Sequence, residues 1–343
     1  MKYNPALDGL RAVAILAVML FHARAPLASG GFLGVDVFFV LSGYLITSLL
    51  LAELAVFGRI ELAAFWRRRL LRLTPPLLTM LAVYVLVAPR LWPEVRDHGS
   101  QAALAAVYLS DYGVAWWGMP RFVSHTWSLA VEMHFYLLWP LLLWGAFRRW
   151  KGASLPAVLA VGWLLATVLR WFWLVLGHGW QEVYYPTDTR LSGLMLGAWL
   201  AAALRDARWR LGLRSLQPWT LWLPAAAMLC LRFQWQDFSV MTWGMSLVEV
   251  ATAAALFAVR DRSSQLAQML SRPLLVWLGK LSYGLYLWHY PVFYYLREDC
   301  RYRWDDVLLV GGPLSLALAA ASWYTVEAWV TRRRGGGLAV RAR

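Results

Sequence analysis

Charged residues are scarce in this sequence: they make up 15% of its 343 positions, against 60% hydrophobic residues. A soluble globular domain carries roughly 25% charged residues, so the composition excludes an ordinary soluble protein. Cysteine is scarcer still, and Cys230 and Cys300 alone cannot build a disulfide framework or a cysteine metal cluster. No metal site is therefore expected, and no polar stretch is long enough for a second domain. The remaining class is a helical protein embedded in a membrane.

Long apolar runs follow one another along the chain and predict an all-α polytopic integral membrane protein of about ten transmembrane helices. An additional apolar stretch, residues 101–117, is interpreted as an interfacial or re-entrant segment. Counting it as a crossing would place the basic residues 148–151 on the outer side, against the positive-inside rule. The predicted crossings are residues 7–27, 33–57, 73–91, 127–147, 155–176, 190–204, 217–232, 242–259, 283–297 and 307–330.

The formal net charge of +14 comes from short basic clusters between the apolar runs rather than from one basic surface. The positive-inside rule explains this pattern without a nucleic acid partner. It places each cluster and both termini in the cytoplasm and predicts a multi-pass protein of the cell inner (plasma) membrane. Residues 1–331 then form one membrane domain, and residues 332–343 form a short basic cytoplasmic tail. The clusters contain Arg67, Arg68, Arg69 and Arg72; Arg148, Arg149 and Lys151; Arg205, Arg208, Arg210 and Arg214; and Arg332, Arg333 and Arg334.

Arg11 and His22 both lie in the first apolar run. At about 100° per residue, their spacing puts the two side chains on one face of a helix, about 16 Å apart along its axis. Ionisable groups inside a membrane are costly and are functional by default. A neutral imidazole is a suitable general base near neutral pH, so His22 is the expected catalytic residue.

Two carboxylates begin apolar runs on the same side of the membrane as His22. Glu132, in SHTWSLAVEMHFYLLWP, lies one turn inside its run and must be paired or neutral there. Asp36, in GGFLGVDVFFVLSGYLI, competes with it as the partner that orients the imidazole. The alternative role for Asp36 is to cap its own helix. The sequence does not choose between the two carboxylates.

A basic segment, FWRRRLLRL, precedes the third apolar run. Arg69 and Arg72 are three residues apart, so their guanidinium groups face one direction on a helix. Such a pair suits an anion with several phosphates, and Arg11 and Arg68 are expected to assist it. The alternative for these arginines is a topology signal. The Thr-Pro-Pro sequence at residues 74–76 is expected to break or bend the chain just beyond them.

Six segments in a fixed order make the chain resemble the membrane acyltransferase-3 family, which O-acylates sugars, polysaccharides and some antibiotics. They are LDGLRAVAILAVMLFH, GVDVFFVLSGYLI, FWRRRLLRLTPP, HTWSLAVEMHFYLLWP, RLSGLMLGA and LGKLSYGLYLWHYPV, spread over residues 7–292. The resemblance implies an R-x10-H motif with a catalytic histidine, here Arg11 and His22. It also implies an R-x-x-R motif that serves an acyl-CoA donor, here Arg69 and Arg72.

Further site residues follow from the same segments. The resemblance implies roles for Glu132, Arg190, Tyr286 and His289, although it defines them less sharply. The sequence does not choose between Tyr286, Ser282 and a backbone amide as the group that donates a hydrogen bond to the oxyanion formed in the reaction. We assign to substrate binding the residues Arg190, Tyr286, His289, Trp127 and Ser282.

These features predict a membrane-embedded O-acyltransferase that uses cytoplasmic acyl-CoA, in the first instance acetyl-CoA. The acceptor would be a hydroxyl of a sugar, glycan or glycosylated metabolite, with His22 as general base; an acyl-histidine intermediate is the alternative. The competing function is a transporter or flippase for a glycolipid or small metabolite, because intramembrane charges also serve as ion relays. Many polysaccharide-modifying members of the family carry a soluble esterase-like domain. This sequence has a short basic tail at that place. We therefore expect the chain either to need no such domain, alone or as a homo-oligomer, or to work with a separate extracytoplasmic partner.

Overall fold

The computed structural model describes residues 3–150, 154–215, 226 and 229–329, and the regular elements of this part are all helices. This agrees with the predicted all-α class. The helices are α1 (Pro5–His22), α2 (Gly34–Phe57), α3 (Leu62–Leu91), α4 (His98–Ala106), α5 (Ser110–Tyr112), α6 (Trp127–Arg149), α7 (Ser154–Val175), α8 (Trp180–Tyr184), α9 (Thr187–Ala203), α10 (Ala207–Ser215), α11 (Met245–Ala258), α12 (Gln265–Leu270), α13 (Pro273–Tyr294), α14 (Trp304–Asp306) and α15 (Gly312–Ser322). Short 3-10 or π turns adjoin them at Gly31–Leu33, Gly113–Trp117, Ser124–Thr126, Val240–Gly244, Tyr295–Asp299, Val307–Gly311 and Trp323–Glu327.

In the described part of the chain, 7 helical segments are long and apolar enough to cross a membrane. Each matches a predicted run. Two further predicted runs coincide with α9, which has 17 residues, and with α13, which has 22. The run 217–232 lies mostly outside the described residues, and the tail 332–343 lies entirely outside them. The count of ten and the location of the termini therefore stay predictions. The 7 segments are Pro5–His22, Gly31–Phe57, Leu62–Leu91, Ser124–Arg149, Ser154–Val175, Val240–Ala258 and Trp304–Glu327.

Among the described long helices, α1, α3, α7 and α13 run in one direction and α2, α6, α9, α11 and α15 run in the other, so their ends collect at two opposite ends of the bundle. The end at which α1 and α3 begin also holds the last turn of α6 and the first turn of α13. We call it the basic end, because the clusters at residues 67–72, 148–149 and 205–210 lie there. We call the opposite end, where α1 finishes at His22, the far end.

The segment between α3 and α6 stays at the far end. It contains two short helices, α4 and α5, separated at residues 107–109, and neither approaches the roughly 20 residues of a crossing. This agrees with the interfacial or re-entrant interpretation. The break expected at Pro75 and Pro76 does not occur, because α3 is one continuous helix through both residues.

Helix α2 lies at the centre and packs most extensively on α9. Two glycines allow the two backbones to approach closely. A Cβ atom on Gly43 would collide with the Leu194 carbonyl group, and one on Gly197 would collide with the Val40 carbonyl group. Small residues at helix contacts are the usual way to pack helices tightly in a membrane. Another extensive contact joins α1 to α13, and it brings His22 to its partner.

Candidate active site

A cavity of about 320 Å³ lies in the basic half of the bundle, enclosed by α1, α2, α3, α6 and α13. Three arginines line it: Arg11 from α1, and Arg69 and Arg72 from α3. Most of the remaining wall is apolar or aromatic. An apolar wall with a few charged groups is typical of a site for an organic ligand with charged substituents. Polar side chains from α2, α6 and α13 complete the lining: Ser42, Ser128, Glu132, Tyr136, Ser282, Tyr283 and Tyr286.

Helix geometry explains which arginines converge on the cavity. Arg69 and Arg72 share a face of α3, whereas Arg68 is turned by about 100° from Arg69 and does not line the cavity. Arg68 Nη2 instead lies 3.9 Å from a carboxylate oxygen of Glu53. Asp8, one turn before Arg11 on α1, orients the Arg11 side chain: its carboxylate oxygen accepts a hydrogen bond from Arg11 Nη1 at 2.9 Å. The structure thus brings together three of the four arginines expected at a phosphate site.

His22, the last residue of α1, pairs with His289 of α13 at the far end. His22 Nδ1 lies 2.9 Å from His289 Nε2, and His289 Nδ1 lies 2.8 Å from the Leu285 carbonyl oxygen. A carbonyl oxygen only accepts, so His289 Nδ1 carries a proton. His289 is fully buried and its described partners include no carboxylate, so a neutral ring is favoured and its Nε2 accepts. His22 therefore donates from Nδ1 and keeps the lone pair on Nε2, which is the form a general base needs.

One layer of side chains separates the cavity from this imidazole pair. Tyr286 and Ser128 line the cavity, and the Tyr286 ring centroid lies 5.7 Å from that of His289. The Tyr286 hydroxyl donates to the His125 carbonyl oxygen at 2.7 Å, and the Ser128 hydroxyl lies 2.6 Å from the Tyr286 hydroxyl. Tyr286 therefore closes the cavity toward the far end, and its proton is already engaged.

Neither candidate carboxylate lies beside His22. Glu132 faces the cavity, where it accepts a hydrogen bond from the Ser42 hydroxyl. Asp36 is buried against Arg190, with 3.0 Å between Asp36 Oδ1 and Arg190 Nη2. The expectation that one of them orients the imidazole is not met, because the rotation of α2 and α6 in the bundle turns both carboxylates toward other partners. Helix α13 supplies an imidazole in their place.

Arg190, expected to bind substrate, is enclosed by aromatic rings and is 2% exposed. Its guanidinium carbon lies 4.7 Å from the ring centroid of Tyr184, 5.2 Å from that of Trp127 and 5.4 Å from that of Phe39. These cation–π contacts, with Asp36 as the counter-ion, hold a charge that the bilayer would otherwise penalise. Arg190 and Trp127 thus meet each other and do not line the cavity.

A second buried charge pair was missed by the sequence analysis. Arg170 of α7 and Glu249 of α11 are 3.7 Å apart, with side chains 0% and 1% exposed. Ser192 of α9 connects them, accepting from Arg170 Nη1 at 2.9 Å and donating to Glu249 at 2.5 Å. A signal was present, because each is an ionisable residue inside an apolar run. Such a residue must find a partner, although the sequence does not say which.

His125 was also absent from the predicted site. It is buried, its Nε2 lies 3.2 Å from the Leu287 carbonyl oxygen, and its ring stacks on Tyr290 with 4.7 Å between centroids. Tyr290 also meets His22 edge-on at 4.9 Å. His22, His125 and His289 therefore form one imidazole cluster around Tyr290.

Comparisons with known proteins agree with the geometry. Residues 4–326 match the family model described as an acyltransferase domain, Acyl_transf_3. The O-acetyltransferase OatA of Staphylococcus aureus is 35% identical over 317 residues, which cover 87% of this chain and 52% of that protein. The peptidoglycan O-acetyltransferase OatA of Listeria monocytogenes is 34% identical over 315 residues, which cover 85% of this chain and 49% of that protein. The chain spans about half the length of these relatives. No solved structure matches it.

Proposed function

Since the chain belongs to the acyltransferase-3 family, we propose that it is a membrane O-acyltransferase that moves an acetyl group from acetyl-CoA to a glycan hydroxyl. The observation that carries this proposal is the position of the His22–His289 pair, one side-chain layer beyond a cavity lined by three arginines. The Listeria relative is a peptidoglycan O-acetyltransferase, so peptidoglycan strands are the first acceptors to test.

The donor would enter from the basic end, which the positive-inside rule places in the cytoplasm. Arg11, Arg69 and Arg72 offer planar guanidinium groups, which bind phosphate oxygens through charge-assisted hydrogen bonds. A cavity of about 320 Å³ is near the lower limit of ligand sites, so it suits the linear pantetheine arm better than the whole donor. The nucleotide would then stay at the mouth, beside the arginines of α3.

The chemistry follows from the proton arrangement of the imidazole pair. His22 Nε2 takes the proton of the acceptor hydroxyl while the hydroxyl oxygen forms a bond to the thioester carbonyl carbon. The carbon–sulfur bond then breaks, and the CoA thiolate takes up the proton that the His22 imidazolium releases. His289 accepts from His22 Nδ1 throughout and so holds the tautomer with Nε2 available.

The acetyl group must pass Tyr286 to reach His22. In the present arrangement the Tyr286 ring closes the cavity, and its hydroxyl donates to the His125 carbonyl oxygen. A rotation of this ring would open the path, and it would also free the hydroxyl to donate to the oxyanion of the tetrahedral intermediate. One side-chain movement would thus serve both purposes.

Two measurements on purified protein in nanodiscs test the proposed function. The first follows label from acetyl-labelled acetyl-CoA to a soluble peptidoglycan tetrasaccharide, and transfer is expected. The second measures the thermal unfolding temperature with and without CoA, and stabilisation is expected because a ligand of the folded state stabilises it. A transporter or flippase has no reason to give either result. Absence of both in well-folded protein would contradict the acyltransferase and favour the transporter.

A further inference from the structure

His22 is accessible from the side opposite to the arginine-lined cavity. Its neighbours His125 and His289 are buried, whereas His22 is partly exposed. His22 does not line the cavity of the basic half. His22 ends α1 at the far end, so its partly exposed surface lies at the end of the bundle from which we expect the acceptor hydroxyl to approach.

A wall of aromatic rings extends from His22 across the far end. We call it the aromatic wall. The Phe21 ring lies 5.2 Å from the His22 ring and 5.6 Å from Trp235, between centroids. Trp235 in turn lies 5.4 Å from Trp180 and 4.8 Å from Tyr184, and Trp180 stacks on Tyr184 at an interplanar angle of 14°. The wall thus places Trp235 two ring contacts from the proposed base.

Three segments that are distant in sequence build this wall, and a backbone hydrogen bond joins two of them. Phe21 is in the last turn of α1, Trp180 and Tyr184 are in α8, and Trp235 is in the loop before α11. The Gly30 amide donates to the Leu231 carbonyl oxygen at 2.8 Å, which ties that loop to the segment after α1. Such fixing limits the entropy that the rings would lose when they bind a ligand.

The wall differs from a lipid-facing belt of tryptophans. Belt residues expose most of the ring to lipid headgroups, as Trp117 does with 60% of its surface exposed. Trp180 and Trp235 are only partly exposed, and both pack on Tyr184, which is 1% exposed. Both tryptophans thus pack on an interior residue of the bundle, and Trp235 is linked through Phe21 to the His22 ring.

We propose that the exposed parts of Trp180 and Trp235 bind a pyranose ring of the acceptor glycan, next to the ring whose hydroxyl meets His22. A pyranose has an apolar face of C–H groups that packs on an aromatic face, and a rim of hydroxyls that needs polar partners. Arg24, which is exposed and pairs with Glu298 at 3.1 Å, supplies polar groups beside His22 at the same end. This assignment rests on the proposed acyltransferase function.

The test compares two soluble acceptors in nanodiscs with labelled acetyl-CoA: a tetrasaccharide of alternating N-acetylglucosamine and N-acetylmuramic acid, and N-acetylmuramic acid alone. Trp180→Leu and Trp235→Leu keep apolar packing but remove the ring. They are expected to raise the KM for the tetrasaccharide roughly three- to tenfold. The KM for acetyl-CoA and for the monosaccharide should not change. Trp235→Phe should stay near wild type, and Trp117→Leu is the matched control that should change nothing.

Calorimetric titration of the tetrasaccharide separates this inference from the proposed function. Trp180→Leu and Trp235→Leu proteins that transfer acetyl groups to the tetrasaccharide with the wild-type KM would overturn the aromatic wall as a glycan site and leave the reaction intact. Protein that binds the tetrasaccharide through these tryptophans without transferring acetyl groups would keep the site and remove the reaction. Absence of tetrasaccharide binding to wild-type protein would overturn the inference directly. Stabilisation by CoA, unchanged in each variant, shows that the variant is folded.

Discussion

His22 Nδ1 and His289 Nε2 lie 2.9 Å apart, although 267 residues separate the two histidines in the chain. The Leu285 carbonyl oxygen fixes the proton on His289, and His289 fixes the proton on His22. His289 thus donates to the Leu285 carbonyl oxygen and accepts from His22 Nδ1. His22 Nε2 keeps its lone pair and is the basic atom. This relationship, rather than a carboxylate, defines the base in the proposed reaction.

Replacing His289 should impair catalysis without impairing donor binding. In His289→Leu, nothing accepts from His22 Nδ1, so the tautomer is no longer held and kcat should fall by at least about a hundredfold. His289→Gln keeps an acceptor oxygen and should recover part of this loss. Steady-state kinetics with labelled acetyl-CoA measures both constants. An equal loss in the Leu and Gln variants, or a loss confined to the KM for acetyl-CoA, would argue against the positioning role.

Replacing the two cavity arginines of α3 should weaken donor binding. Arg69→Gln/Arg72→Gln should raise the KM for acetyl-CoA at least about tenfold, since hydrogen bonds to charged groups contribute about 1.5–3 kcal/mol. The KM for the glycan should stay the same. Arg67→Gln is the matched control, because Arg67 is exposed on the same helix and does not line the cavity. If both Michaelis constants rise equally, these arginines are topology signals.

The Asp36–Arg190 pair should act on stability more than on catalysis. Arg190→Met leaves Asp36 as a buried carboxylate without its counter-ion, which costs about 3–5 kcal/mol in the free energy of unfolding. The double variant Asp36→Leu/Arg190→Met should recover much of this loss, because no lone charge remains. Arg303→Met, at an exposed ion pair, is the control with little expected effect.

Denaturant titration in detergent micelles measures this free energy for each variant. A stable Arg190→Met protein with a selectively raised KM for the glycan would return Arg190 to the role of a substrate-binding residue.

The orientation of the bundle can be tested on a native side chain. Cys300 is an exposed free thiol that follows α13 at the far end of the bundle, so a membrane-impermeant maleimide should label it on intact cells. Cys300→Ser should abolish that labelling. In the Cys300→Ser background, Ser263→Cys places a thiol in the exposed loop at the basic end, and this thiol should react only after the membrane is permeabilised. Labelling with the opposite sidedness would invert the topology and place the arginine-lined cavity outside.

The sequence was sufficient to predict the helices and the arginine cluster. Apolar runs of crossing length are dictated by the bilayer, and 7 of the predicted runs recur as long apolar helices in the described residues. The convergence of Arg69 and Arg72 follows from a spacing of three residues on one helix. The exclusion of Arg68 follows from the same geometry, since adjacent residues on a helix point about 100° apart.

The partners of buried polar groups were not predictable in the same way. Which residue meets His22 depends on how α1 packs against α13, and which group meets Asp36 depends on the rotation of α2 against α9. These are properties of tertiary packing that local sequence does not encode. The pair Arg170 and Glu249 shows the limit most clearly: each is detectable as an ionisable residue in an apolar run, yet only the fold shows that they neutralise each other.

The most direct test of the central claim compares two histidine variants of the purified protein. His22→Ala should lose transfer of label from acetyl-CoA to the peptidoglycan tetrasaccharide while its stabilisation by CoA stays that of wild type, because the donor cavity does not include His22. His178→Ala removes a partly exposed histidine of the far-end loop that pairs with Glu182, and it should transfer label normally. Full transfer by the His22→Ala protein would contradict the assignment of His22 as the base.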